Sequence, residues 1–171
     1  MIILESERLL FREHEPGDVE AYCALEADPE VRRYVGGTPR ARKDAERKFR
    51  STHLKNASAR LALRATISKP EDRYIGHCCL YPNFGPRGAI SGEAALAFYF
   101  ARQYWGRGLA TEAGHAVVRF GFTHLHLTRI VATVEVGNVV SVHIMEKLGF
   151  TLIGTEEGIR SFHNFQLVNP F

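Results

Sequence analysis

Cysteine is scarce: the 171 residues hold three, Cys23, Cys78 and Cys79. An odd number, with two adjacent in a strand-like run, is a poor disulfide framework and fits a reducing, cytoplasmic setting. Long apolar runs are missing too. No stretch approaches the roughly 18 apolar residues that a membrane span needs. The opening "MIILESERLL" has no basic segment and its apolar run breaks at Glu5, so neither export nor anchoring is expected. Metal-ligand pairs are also absent from the spacing. His124 and His126 stand two apart and His77, Cys78 and Cys79 are adjacent, but neither set has a matching second pair, so no metal is expected. Repeats and low-complexity tracts do not occur.

What is present suits one globular domain over residues 1–171, with 45% hydrophobic and 24% charged residues. The net charge of +3 is unevenly spread. Residues 1–31 hold nine acids against Arg8 and Arg12, whereas Arg32 to Arg64 hold eleven Lys or Arg against Asp44 and Glu46. Such a run is either a solvated helix face or a flank that attracts an anionic partner, a phosphate-bearing cofactor or a ribosomal surface. Aromatic residues do not interleave it in the way direct nucleic-acid readout would need.

Along the chain, "RLLFRE" (Arg8 to Glu13) alternates as a short strand. Asp18 is placed to cap a helix with Val19, Tyr22, Cys23 and Leu25 inward, ended by Asp28-Pro29. Thr38-Pro39 predicts the start of a basic helix with Ala41, Ala45 and Phe49 inward. "LALRATI" (Leu61 to Ile67) and "YIGHCCLY" (Tyr74 to Tyr81) read as strands, followed by a Gly/Pro loop, "PNFGPRGAISG". "EAALAFYF" (Glu93 to Phe100) is the next strand. Leu109, Ala113, Ala116, Val117 and Phe120 then recur at helical spacing, and "RIVATVEV" (Arg129 to Val136) is strand again.

Strand, glycine turn, helix and strand in that order imply a parallel pair. Gly106 and Gly108 in "RQYWGRGLATEAG" fall where the helix begins. Unpaired amides and the positive end of the helix dipole meet there with no Cβ to hold an anion away, so a phosphate suits the spot. The spacing lacks the Lys-Ser/Thr of a P-loop, and Thr111 stands where a dinucleotide fingerprint needs Gly or Ala. By spacing alone an ordinary tight turn stays equally open.

"QYWGRG" (Gln103 to Gly108) matches the Gln/Arg-x-x-Gly-x-Gly/Ala motif of the GNAT superfamily of N-acetyltransferases, and "YWGRGLATEA" resembles its RimJ/RimL-type branch, which acetylates ribosomal-protein N-termini. "ESERLLFRE", "DPEVRRYV" (Asp28 to Val35), "YIG" (Tyr74 to Gly76) and "NVVSVHIMEKLGF" (Asn138 to Phe150) resemble that branch in its order. The resemblance implies an α+β fold: a mixed, mostly antiparallel sheet, splayed at two parallel strands and flanked by helices. It also implies acetyl-CoA as acetyl donor, without a metal. The pantetheine arm would pair with backbone at Phe98, Tyr99 and Phe100 as an added strand. The pyrophosphate would rest on amides of Gly106, Arg107, Gly108, Ala110 and Thr111, in the motif that Gln103 opens.

Asn138 reads as N-cap of a helix over Val139 to Leu148, Ser141 as a first-turn residue and Gly149 as its stop. By resemblance, Asn138 also contacts the pantetheine arm and Ser141 lies near the thioester sulfur as proton donor. The general base is open: the branch often carries Glu where this chain has Ala95, and Glu93, two residues earlier on the same strand face, is the candidate, against a reading as a strand-edge carboxylate. Tyr104 and Trp105 read as packing beside the turn.

The implied reaction is direct attack of an amine on the thioester in a ternary complex, needing proton removal from nitrogen, an oxyanion donor and proton return to the thiolate. An α-amine with pKa near 8 is about a tenth neutral at pH 7, a lysine only about one part in two thousand. The acceptor expected is therefore a protein N-terminus. A small amine, such as an antibiotic or polyamine, and a non-catalytic CoA-binding sensor are the alternatives, and a homodimer is left open.

Overall fold

The computed structural model describes residues 2–55 and 64–170. Eight strands form one sheet in the order β1-β2-β3-β4-β5-β6-β8-β7. They are β1 (Ile2–Glu5), β2 (Leu9–Arg12), β3 (Ala65–Ser68), β4 (Arg73–Gly85), β5 (Gly88–Phe100), β6 (Arg129–Glu135), β7 (Thr151–Glu156) and β8 (Phe162–Val168). Every neighbouring pair is antiparallel except β5 and β6. The helices are α1 (Val19–Ala27), α2 (Pro29–Arg32), α3 (Arg42–Lys48), α4 (Leu109–Thr123) and α5 (Val139–Lys147).

Strand alternation divides the interior. Cys78, Leu80, Leu96 and Phe100 join the main core, to which α4 contributes Leu109, Ala113 and Val117 and α5 contributes Met145. On the opposite face His77 and Tyr99 meet α1, whose Tyr22 and Cys23 cluster with Ala45 and Phe49. The fold matches the expected mixed sheet with flanking helices.

Several local expectations give way to longer-range contacts. Asp18 does not cap α1: its carboxylate turns back to a bidentate pair with Arg12 at 2.7 and 2.8 Å and accepts the Glu15 amide, forming a 3-10 turn over Pro16–Asp18. Asp28 does end α1, and its side chain caps α2 by accepting the Glu30 amide at 2.9 Å. Thr38-Pro39 starts no helix. The Arg40 amide donates to Glu26 O and its Nε to the Glu26 carboxylate, which holds the approach extended until α3 begins after Ala41. Ala45 and Phe49 are buried as expected, but Ala41 is exposed. The expected strand over 61–67 lies partly outside the described residues, with β3 running Ala65–Ser68. The Gly/Pro stretch 82–92 is no open loop. It is the tip of the long β4–β5 hairpin, turning between the paired Gly85 and Gly88 with an irregular register at Pro82–Phe84.

The "YIG" glycine has a steric cause. Gly76 has φ +143, and a Cβ there would lie 2.3 Å from Tyr99 O and 2.8 Å from Phe100 Cα. Those neighbours are backbone and cannot rotate away. Gly76→Ala is expected to cost about 2 kcal/mol or more, lowering Tm by roughly 4–8 °C. An unchanged melting curve by circular dichroism would show that β4 and β5 have slack at this crossing.

Candidate active site

β5 and β6 pair over three positions only, Glu93 with Arg129, Ala94 with Ile130 and Ala95 with Val131. Beyond Ala95, β5 continues to Phe100 against β4, and β6 continues to Glu135 against β8. Their facing edges therefore diverge, and the backbone of residues 96–100 borders a gap. The side chains of Phe98 and Phe100 go to the α4 core, while the Tyr99 hydroxyl donates to Glu26 at 2.8 Å. What β5 presents to the gap is backbone. Trp105 secures the end of that edge by donating its indole N–H to Phe100 O at 2.7 Å. Tyr104 is buried as expected, whereas Trp105 is 48% exposed.

After a 3-10 turn at Arg102–Tyr104, which contains Gln103, the chain passes Gly106 at φ +72 and Gly108 at φ +75. Gly108 is the N-cap of α4, whose first helical bond runs from the Glu112 amide to Gly108 O at 3.0 Å. The amides from Gly108 to Thr111 thus have no acceptor within the helix. A Cβ at Gly106 would meet nothing within 4 Å, and one at Gly108 only the Arg8 guanidinium at 3.7 Å. Bare backbone faces open space at the positive end of a 15-residue helix, which fits an anion such as a pyrophosphate. The Arg107 side chain lies over the Tyr104 ring and pairs with Glu71 at 3.5 Å, leaving its amide as its contribution to the turn.

Two further residues support this cradle and were not singled out from the sequence. Glu112 accepts from the Ser6 hydroxyl, the Arg8 amide and Arg8 Nε at 2.7–2.8 Å, and Arg8 also donates to Arg107 O at 3.0 Å. Burial alone would raise the Glu112 pKa, but these hydrogen bonds and the Arg8 charge hold it low. Both partners occur inside quoted motifs, Arg8 in "ESERLLFRE" and Glu112 in "YWGRGLATEA". The signal was there, but no local rule joins them.

Asn138 caps α5 as expected, its side chain accepting the Ser141 amide at 3.2 Å. Ser141 is half-buried in the first turn, and its hydroxyl makes no hydrogen bond among the described residues. Glu93 is placed differently from a solvated strand-edge carboxylate. It lies at the joined end of the parallel pair, held by Arg129 at 2.6 Å and Asn83 at 2.9 Å. Burial pushes its pKa up, but those bonds and the Arg129 charge outweigh that and leave it below the usual range. It is an ionised, engaged group and a weak base. Ala95 stands at the last paired position with no acid.

A cavity of about 1170 Å³ lies apart from the gap. It lies between α1 and the β2–β4 strands and reaches Gln103 and Tyr104 from beside the turn. The strand edge and amide cradle locate the chemistry better, because they offer the backbone groups that a pyrophosphate and an extended arm require. No helix among the described residues is long and apolar enough to cross a membrane. Cys23, Cys78 and Cys79 are buried free thiols.

Comparison with known proteins agrees with this geometry. A family model described as an acetyltransferase (GNAT) domain matches residues 8–151. An uncharacterized N-acetyltransferase p20 of Bacillus licheniformis is 32% identical over 154 residues, covering 88% of this chain and 83% of its own. Among solved structures, a GNAT-family acetyltransferase from Bacillus anthracis superposes with TM-score 0.86 at 25% identity over 100% of both chains. A Vibrio cholerae spermidine N-acetyltransferase, solved with CoA and spermine, reaches TM-score 0.79 at 20% identity over 96% and 97%. The splayed parallel pair, the amide cradle and these matches together place the chain in the GNAT acetyltransferase family.

Proposed function

We propose that this N-acetyltransferase moves the acetyl group of acetyl-CoA to a primary amine carrying little other positive charge, and that a protein N-terminus is the best fit. One observation carries the choice of acceptor. β5, β6 and α4 hold a single carboxylate each, Glu93, Glu135 and Glu112, and each is committed to an arginine, Arg129, Arg160 and Arg8, while Glu146 near the far end of α5 pairs with His143. A polyamine needs uncommitted carboxylates for its several cationic nitrogens. An N-terminal amine does not. The resemblance of "YWGRGLATEA" and "NVVSVHIMEKLGF" to the RimJ/RimL-type branch points the same way.

Acetyl-CoA supplies the activated thioester. The amides from Gly106 to Thr111 hold its anionic diphosphate, and the β5 edge at Phe98 to Phe100 aligns its extended arm against Asn138. Glu93 joins β5 to β6 and does not remove the proton. With alanine at position 95, proton removal falls to solvent acting on an amine already about a tenth neutral at pH 7, which again favours an α-amine. Ser141, its helix turn fixed by Asn138, returns a proton to the thiolate.

Release of free CoA should therefore be fastest with short peptides bearing a free α-amine and absent with the same peptides N-acetylated. Faster turnover of spermidine would reverse the choice of acceptor, and acetyl-CoA binding without turnover of any amine would make the chain a sensor. Ser141→Ala is expected to lower kcat about ten- to a hundredfold with little change in acetyl-CoA affinity or Tm. The loss should widen below pH 8.5, the ordinary thiol pKa, if proton return limits the rate. Equal kcat at every pH would reduce Ser141 to a helix-turn residue.

A further inference from the structure

Three histidines far apart in sequence meet on the α1 side of the sheet. His14 follows β2, His77 is on β4, and His53 lies in a π-helical turn, Phe49–Leu54, that continues α3. All three are buried, at 4%, 1% and 1% exposure. Their ring centroids form a triangle of 4.6, 5.2 and 5.6 Å, and one ligating nitrogen from each lies within 4.8 Å of the others.

We propose that His14, His53 and His77 bind one divalent zinc-class cation through three imidazole nitrogens, a site separate from the acetyl-transfer gap. His53 leaves both ring nitrogens, and His77 its Nε2, without a hydrogen-bond partner among the described residues. Buried polar atoms in that condition are costly, and a cation that accepts one lone pair from each ring removes part of the cost. One outer-shell partner is also in place. Tyr74 Oη lies 2.7 Å from His77 Nδ1; as acceptor of the Nδ1 proton it leaves the Nε2 lone pair for the cluster.

Lys48 and Glu26, paired at 3.7 Å, flank the cluster with opposite charges.

Donor type selects the ion. Imidazoles without thiolate suit zinc, with copper and nickel next, and three protein nitrogens leave a fourth position for water. Nitrogens on one tetrahedral zinc are about 3.3 Å apart, given bonds near 2.05 Å. The present separations close to that by side-chain rotation of roughly 1 Å or a little more. Bound there, the ion would tie the α1 entry, the α3 exit and β4 together on the face opposite α4.

Chelator-stripped protein titrated with Zn²⁺ should take up about one equivalent by calorimetry and elemental analysis. Its Tm should rise by about 5–10 °C at a hundredfold excess over Kd. Co²⁺ should give the strong visible bands of a tetrahedral imidazole site. His53→Phe and His77→Phe should lose uptake and the bands, while His143→Ala, at an exposed histidine, keeps both. Absence of uptake by the wild-type protein overturns the proposal, as does weak octahedral Co²⁺ absorption or full retention of uptake in folded His53→Phe and His77→Phe. Should those variants fail to fold, the wild-type titration and Co²⁺ spectrum decide alone.

Discussion

Gly108→Val is expected to weaken acetyl-CoA binding about 10²- to 10³-fold while the protein stays folded. Gly108 has φ +75, a conformation a β-branched residue adopts only under strain of about 1–3 kcal/mol. Because a Cβ there meets only the Arg8 guanidinium at 3.7 Å, steric conflict within the protein is small and the strain is relieved by turning the peptide planes at the helix start. Those planes carry the amides that face the anion. Losing two charge-assisted hydrogen bonds of roughly 1.5–3 kcal/mol each gives at least the stated change. Isothermal titration with acetyl-CoA, beside a circular dichroism spectrum, makes the measurement. An unaltered Kd in a folded Gly108→Val protein would remove the cradle from the binding site.

Glu26→Ala should be the most destabilising single change, by about 3–5 kcal/mol, or roughly 6–20 °C in Tm. Glu26 is fully buried on α1. Its carboxylate accepts from Tyr22 and Tyr99 hydroxyls at 3.1 and 2.8 Å and from Arg40 Nε at 2.7 Å, with Arg32 at 3.3 Å and Lys48 at 3.7 Å. Removing it strands three cations beside the buried Tyr22 hydroxyl and the half-buried Tyr99. Burial by itself would raise the Glu26 pKa, but the Arg40 and Tyr99 hydrogen bonds and the surrounding positive charge hold it below its ordinary 4.5. A depressed folded pKa means the contribution is complete above 4.5 and is lost as pH falls through the folded value. Urea unfolding should accordingly show a flatter acid limb for Glu26→Ala than for wild type below that pH. Parallel limbs would mean that the Glu26 pKa is the same in the folded and unfolded chain.

The parts legible in the sequence are those set by neighbours in the chain. The period of Leu109, Ala113 and Val117, the cap at Asn138 and the turn glycines at 106 and 108 each report a structure completed within a few residues, and α4, α5 and the cradle follow. Asp18 and Thr38-Pro39 carried equally good local signals and failed, because Arg12 and Glu26 compete for the same segments through ion pairs that no window contains. The stretch 82–92 looked like a loop because Gly and Pro dominate it, yet β5 offers it a partner across a two-residue turn. Glu26 and the histidine group escaped for a similar reason. His14, His53 and His77 share no spacing, and only the crossing of α1, α3 and β4 assembles them.

The three-residue seam between β5 and β6 also bears on how the molecule holds together. Five strands lie on one side of it and three on the other, and each group is laced by longer antiparallel pairing than the seam itself. Because few hydrogen bonds cross the seam and α4 packs chiefly over β4 and β5, amide exchange along this line is expected to precede exchange within either group of strands. A ligand that adds backbone pairing to β5 while touching the start of α5 acts as a cross-tie between the two sectors. Occupancy then adds a polar tie between two strand groups that otherwise meet through the three-residue seam and one shared apolar core, and part of the binding free energy goes into that coupling and does not appear as affinity.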